Sequence, residues 1–231
     1  MSITLLHGSD HIIERPVLKL GKKTNDYGRG FYCTRIPEMA KEWACKNNTG
    51  GFANAYDLDD AGLNILNLMD GQHSILNWIA LLLANRTFSI QNEIEQDAKD
   101  FLLQHYLIDL SEFDMIIGYR ADDSYFSYAQ SFISNTLPLR TLGKAMTLGN
   151  LGEQTALISE KAFDHLSFID AQPVSKEIYY PKFNQRDTKA RLAWKKDLKK
   201  SRTYLDDLFV LDILREEIQN DDPRIQRIIS E

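Results

Sequence analysis

Two rhythms of apolar residues alternate along this chain, one with the period of a strand and one with the period of a helix. Residues 2–6 (SITLL) read as a buried strand that delivers His7-Gly8-Ser9 at its end. From Asp10 to Asn25 the pattern dissolves into charges with Pro16 and Gly21, which predicts an irregular surface loop. The stretch Asn25 to Ala44 then organises the N-terminal half. Gly28 and Gly30 flank Arg29 and allow close backbone approach before the apolar run Phe31-Tyr32-Cys33. Pro37 suits a helical first turn, and Met39, Ala40, Trp43 and Ala44 recur at helical spacing, with an end expected near Asn47 to Gly51.

Further on, Phe52 to Leu58 and Leu63 to Leu68 read as two short strands joined by Asp59-Asp60-Ala61-Gly62, a hairpin-like pattern. Ile75 to Ala84 is apolar enough for a buried helix, and Ile94, Ala98, Phe101, Leu102 and Tyr106 form the stripe of a second. This pair reads as a helical insertion or cover over about residues 72–110. Asp114 to Gly118 reads as a central strand. The carboxylates of Asp122 and Asp123 suit the cap of a helix from about Ser124 to Ile133, with a metal pair as the alternative. Another helix is expected from Pro138 to Gly149, then a strand over Thr155 to Ile158 opened by Gly152-Glu153-Gln154, and Phe168 to Val174 as its partner or that of a neighbour. Short strands mixed irregularly with helices, without a linker-like interruption, predict a single α+β domain over 1–231.

Composition narrows this picture little: 43% hydrophobic and 26% charged residues in 231 are ordinary for a globular chain. A net charge of −6 argues against electrostatic nucleic-acid binding by the protein as a whole. The charge is uneven, however. Residues 182–202 carry nine Lys and Arg against two Asp, and residues 206–231 reverse the sign on what reads as an amphipathic helix with Leu208, Leu211, Leu214 and Ile218 inward. The basic run is read as a solvated helix with Ala190, Ala193, Trp194 and Leu198 on its apolar side, paired with the acidic tail, or as a contact for a nucleic-acid acceptor. Cys33 and Cys45 lack the spacing of a zinc site or disulfide framework, so no metal is expected. The first residues do not read as a signal peptide and no run reaches the length of a membrane span, so a cytoplasmic protein without membrane partners is expected.

His7-Gly8-Ser9, followed by Gly28-Arg29-Gly30-Phe31-Tyr32 and an aromatic, Trp43, eleven positions beyond that tyrosine, resembles the nucleotide-binding core of the ADP-ribosyltransferase superfamily, in its diphtheria-toxin and poly(ADP-ribose) polymerase branch. The combination of LLHGSD, NDYGRGFYCT with AKEWA, GYRADDSYF and GEQTALISEKAFDHLSF is similar to a bacterial ADP-ribosyltransferase-like family of toxin type. The resemblance implies a split β-sheet with an NAD cleft, flanked by helices. It implies NAD as co-substrate, a macromolecular acceptor of protein or nucleic-acid class, and an antitoxin partner.

Residue by residue, the resemblance assigns the Gly8 backbone to the nicotinamide carboxamide, His7 to the adenosine-side ribose with Ser9 assisting nearby, and Tyr32 and Trp43 to a sandwich around the nicotinamide ring. A flat aromatic surface holds a flat cationic ring by stacking and cation–π attraction of about 0.5–2 kcal/mol. The family's ribose-binding glutamate falls at Gln154, which orients a hydroxyl but supplies neither general base nor negative charge. Glu153 is the alternative carboxylate, on the opposite strand face by alternation. The implied activity is single transfer, a mono-ADP-ribosyltransferase. NAD glycohydrolysis and a catalytically weak nucleotide-binding interaction module are the alternatives.

Overall fold

The computed structural model of the protein describes residues 2–120, 123–147, 153–200, 204 and 206–230, with backbone alone at some positions in the helices. It is an α+β fold with two sheets. The first has the order β1 (Ser2–Ser9), β3 (Gly51–Asp59), β7 (Leu166–Val174), all antiparallel. The second has the order β2 (Phe31–Cys33), β6 (Glu153–Leu157), β5 (Met115–Tyr119), β4 (Ile65–Asn67), with the last pair parallel. Among the described residues the sheets meet at one antiparallel bridge: Leu6 N–H donates to the Thr34 carbonyl at 2.8 Å, and Thr34 N–H donates back to the Leu6 carbonyl at 2.9 Å.

The expected hairpin does not form. β3 and β4 lie in different sheets, because β3 is held between β1 and β7 while β4 pairs with β5. Turn chemistry at Asp59 to Gly62 is present, with Gly62 at φ +75°, but the turn carries the chain from one sheet to the other. The predicted partner of β6 is likewise elsewhere: β7 runs along β3.

Alternation within the strands feeds two cores. Phe31, Cys33, Met115 and Leu157 pack with Leu5, Tyr56 and Leu58 between the sheets. Leu66, Ile116 and Ala156 turn the other way, into the larger core built by helices. Its centre is α2 (Ile75–Asn85), whose residues Leu76 to Leu83 are buried all round, as expected of a helix that is apolar on every face. Around it stand α3 (Glu93–Tyr106), α4 (Asp123–Ile133) and α5 (Leu139–Thr147). The pair read as a cover thus supplies much of the interior. Asp122 lies outside the described residues, as do the side chain of Asp123 and the expected helix end at Gly149.

On the outer side of the first sheet, α1 (Pro37–Ala44) packs its small residues Ala40 and Ala44 against Ala53 and Val174. The helix α6 (Glu160–Asp164) precedes β7, and α7 (Lys176–Lys200) follows it and carries the basic run. Lys182 pairs with Glu38 at 2.7 Å, and Arg186 pairs with Glu42 at 2.6 Å. These partners lie on α1, where the sequence suggested the acidic tail. The side chains of Ala190, Ala193, Trp194 and Leu198 lie outside the described set. The tail forms two short helices, α8 (Val210–Arg215) and α9 (Pro223–Ser230), instead of one. Glu217 takes a left-handed φ of 49° and Pro223 starts afresh, so the periodicity is reset and Val210, Ile213 and Ile225 turn inward beside Leu208 and Ile218. Asp206 and Asp207 pair with Arg140 on α5. Among the described residues no helix is long and apolar enough to cross a membrane.

The approach of α1 to β1 is close enough to dictate a glycine. A Cβ on Gly8 would sit 2.0 Å from the Ala40 carbonyl oxygen and 2.6 Å from the Ala44 nitrogen, both backbone atoms that do not yield. Gly8→Ala is therefore expected to lower stability by about 1–3 kcal/mol or more through overpacking. Urea unfolding midpoints measure it, and an unchanged midpoint would show that α1 is not seated against β1 as described.

Candidate functional site

Beyond the Leu6–Thr34 bridge the two sheets part, and a cleft of about 580 Å³ opens there. Backbone groups alternate sides along a strand, so Gly8, two residues past Leu6, turns its N–H and C=O toward the same gap. Across that gap stands Tyr32, two residues before Thr34. The His7 imidazole spans the distance: Nδ1 donates to the Tyr32 carbonyl at 2.7 Å. Because a carbonyl only accepts, the proton sits on Nδ1 and the lone pair on Nε2. Burial pushes the His7 pKa below its ordinary 6.5, so the ring is neutral near pH 7. Its face rests on Phe31, with centroids 4.5 Å apart.

Tyr32 is held by both ends. Its hydroxyl donates to the Gly28 carbonyl at 2.8 Å and accepts from the Tyr27 N–H at 2.9 Å. One ring face is stacked on Tyr27, at 6.3 Å between centroids and 5° between planes. Gly28 makes this turn possible with φ +75°. Trp43 lines the cleft from α1. The Arg120 guanidinium lies over its ring at 4.6 Å, and its indole N–H is buried without an acceptor among the described residues.

Gln154 reaches the cleft from β6 and is 4% exposed. Its Nε2 donates to Asp26 Oδ2 at 2.9 Å and to the Tyr119 carbonyl at 3.1 Å. Two acceptors fix which end of the amide faces them. Asp26 in turn pairs with Arg86 at 2.8 Å, and both line the cleft. Glu153 points elsewhere, 3.5 Å from Arg35, and is not part of the cleft wall. Ser9 also lies off the wall. Its hydroxyl accepts from Asn54 at 3.0 Å and donates to the His11 carbonyl. Ser9 thereby helps the fully buried Asn54, which also accepts from Ile13 N–H at 2.9 Å, to hold the long loop along the cleft.

The cleft is electropositive in a chain of net charge −6. Arg15, Lys22, Lys46, Arg86 and Arg120 line it against the carboxylate of Asp26. Partial burial and then the neighbouring charges of Lys22 and Arg120 push the Lys46 pKa down. Crowding like charges is unfavourable on its own and is relieved by an anion. The arrangement suits a ligand with a negatively charged portion and a flat portion, the latter served by Tyr32 and Trp43. Among the described residues there is no group of three or more His, Cys, Asp or Glu side chains that would hold a metal ion.

Sequence reasoning named His7, Gly8, Ser9, Tyr32, Trp43 and Gln154, and all of them except Ser9 border this one cleft. It missed Asp26, Arg86, Lys46 and Arg120. Only Asp26 had a local signal, a carboxylate next to the Gly28 turn.

A neutral, buried His7 has a definite pH consequence. Above pH 6.5 folded and unfolded chains agree in protonation, and below it the unfolded chain binds the proton first, so His7 lowers stability as pH falls from 6.5 toward its depressed folded pKa. His7→Gln should flatten the stability–pH curve in that window, read by urea unfolding at a series of pH values from 7.5 down to 5. An unaltered slope would assign the acid sensitivity to other groups.

Comparison with curated proteins and with solved structures gives no match for the chain. One family model does match, over residues 3–168, a span that contains every cleft residue named above. On that match the chain belongs to the DUF3990 family, described as a protein of unknown function.

Proposed function

We propose that this protein is an NAD-dependent mono-ADP-ribosyltransferase, built on an ADP-ribosyltransferase-like split sheet. The observation that carries the reading is the convergence of His7 and Gly8 from β1, Tyr32 from β2, Trp43 from α1 and Gln154 from β6 on one electropositive cleft at the seam between the sheets. NAD, a net anion with one cationic ring, has the features such a cleft would recognise: a flat charged ring, a carboxamide, ribose hydroxyls and a diphosphate.

In this reading the outward N–H and C=O of Gly8 meet the carboxamide, which needs one donor and one acceptor. His7, fixed with its lone pair on Nε2, accepts from a ribose hydroxyl. Tyr32 offers the ring face opposite Tyr27. Stacking of nicotinamide on Trp43 displaces the Arg120 guanidinium and exchanges one cation–π contact for another. The diphosphate lies toward Lys22, Lys46 and Arg120. The bond between C1′ of the ribose and the nicotinamide nitrogen breaks, and nicotinamide leaves with the electron pair. The resulting oxocarbenium-like carbon is captured by an acceptor nucleophile that gives up its proton. A rigid, pre-arranged site lowers this barrier by orientation and electrostatics. Glutamine at 154 favours single transfer over chain elongation, because it is no general base. By analogy with the toxin-type ADP-ribosyltransferase-like proteins that the sequence resembles, the setting proposed is a cytoplasmic toxin with an antitoxin partner and a macromolecular acceptor.

Adenine-labelled NAD incubated with the protein and a bacterial lysate tests the reading. Nicotinamide release with label retained on a macromolecule is the expected result, and Trp43→Ala or Gln154→Ala should lower turnover at least tenfold in a protein whose circular dichroism is unchanged. Free ADP-ribose as sole product would make the protein a glycohydrolase, and NAD binding without nicotinamide release would make it a binding module. Lys46→Ala is expected to raise KM for NAD several-fold, with an effect that shrinks as salt is added, and to leave apo stability undiminished because it removes a crowded charge. A salt-independent KM would remove Lys46 from the anion contact.

A further inference from the structure

We propose that Asp26 supplies the negative charge of this site and acts through Gln154 as its positioning residue, so that an aspartate–glutamine pair does what a single glutamate would. The inference rests on the transferase reading. Its structural basis is a short chain of contacts. Arg86 donates to Asp26 Oδ1 at 2.8 Å, and Gln154 Nε2 donates to Asp26 Oδ2 at 2.9 Å. The Arg86 guanidinium lies over the Phe126 ring at 4.6 Å. Asp26 is 6% exposed, sits on the turn closed by the 2.9 Å bond from Gly28 N–H to the Asn25 carbonyl, and borders the cleft.

This arrangement explains the residue type at 154. The amide nitrogen is within hydrogen-bond distance of a carboxylate and a carbonyl, and both only accept. A glutamate there would press a second carboxylate on Asp26, and one of the two would have to take up a proton. Glutamine is the neutral donor that this environment accommodates. Donation from its N–H groups to a charged acceptor polarises the amide and increases the negative character of Oε1, because linked hydrogen bonds reinforce one another at low dielectric. An Oε1 so polarised is a stronger acceptor for a ribose hydroxyl and a better neighbour for an oxocarbenium carbon than that of an isolated glutamine. Arg86 holds the carboxylate in place and offsets part of its charge, which limits the cost of burying it.

The test is a two-by-two set: wild type, Asp26→Asn, Gln154→Glu and the double variant, each measured for nicotinamide release from NAD and for thermal midpoint. Asp26→Asn should lower kcat at least tenfold with KM for NAD within twofold, since the charge acts on the developing cation and not on ground-state binding. Gln154→Glu alone should lose both stability and activity near neutral pH. The double variant restores an amide–carboxylate pair with the roles exchanged, and its kcat should exceed that of either single variant. A purely structural role for Asp26 predicts that kcat follows the thermal midpoint across the set, and that result would overturn the inference. So would an Asp26→Asn protein with wild-type kcat. A wild-type protein that releases no nicotinamide fails differently: it removes the transferase reading itself.

Discussion

Everything in the cleft depends on how little joins the two sheets. Among the described residues β1 and the end of the β2 segment share a single bridge, Leu6 with Thr34, and then separate. A continuous ladder would have used the N–H and C=O groups of Gly8 and Tyr32 against each other, as buried backbone groups ordinarily require partners. Instead the gap is spanned by the His7 side chain, whose Nδ1–H satisfies the Tyr32 carbonyl. The imidazole therefore links the two strands past their last rung. It satisfies one carbonyl and leaves the Gly8 groups directed into the gap. The opening is made by the fold, and its chemistry follows from which backbone atoms the opening leaves over.

The second constraint is the buried carboxylate of Asp26. It joins three separate pieces of chain: the turn before β2, the end of α2 through Arg86, and β6 through Gln154. A charge that is 6% exposed is tolerable only with such partners, so the segments that bring them are held in register by it. Tyr119 adds a node of its own, because its carbonyl accepts from Tyr27, Trp78 and Gln154. The aromatic wall of the cleft and the floor at Gln154 are in this way parts of one polar network lying against the large helical core.

Local pattern carried some of this and topology carried the rest. The strand ending in His7-Gly8, the glycine-flanked run at Phe31 to Cys33, the helix started by Pro37 and the buried helix after Ser74 were all legible, since each depends on spacing within a short window. The β3–β4 hairpin was misread because a turn sequence specifies reversal of the chain and says nothing of which sheet the chain joins afterwards. The tail was misread because apolar spacing continued across a break that only the backbone at Glu217 and Pro223 reveals. Asp26, Arg86, Lys46 and Arg120 meet across long separations in sequence, and a single chain without its fold has no means of pairing residues 26, 86 and 154.

Gly8 brings the two themes together. Its missing side chain is required twice over, once because α1 lies against it and once because its backbone groups face the gap. The same helix that crowds Gly8 carries Trp43 into the cleft, with Trp43 Cβ 2.9 Å from where a Gly8 Cβ would be. The distance between the backbone at Gly8 and the indole wall is thereby set by core packing, not by a mobile loop. A close-packed contact resists change far better than a surface side chain does. The width available to a flat ring in this cleft is consequently a property of how α1 seats on β1. The pair between Arg186 of α7 and the buried Glu42 braces that seat from the outer side, on a helix that does not itself border the cleft.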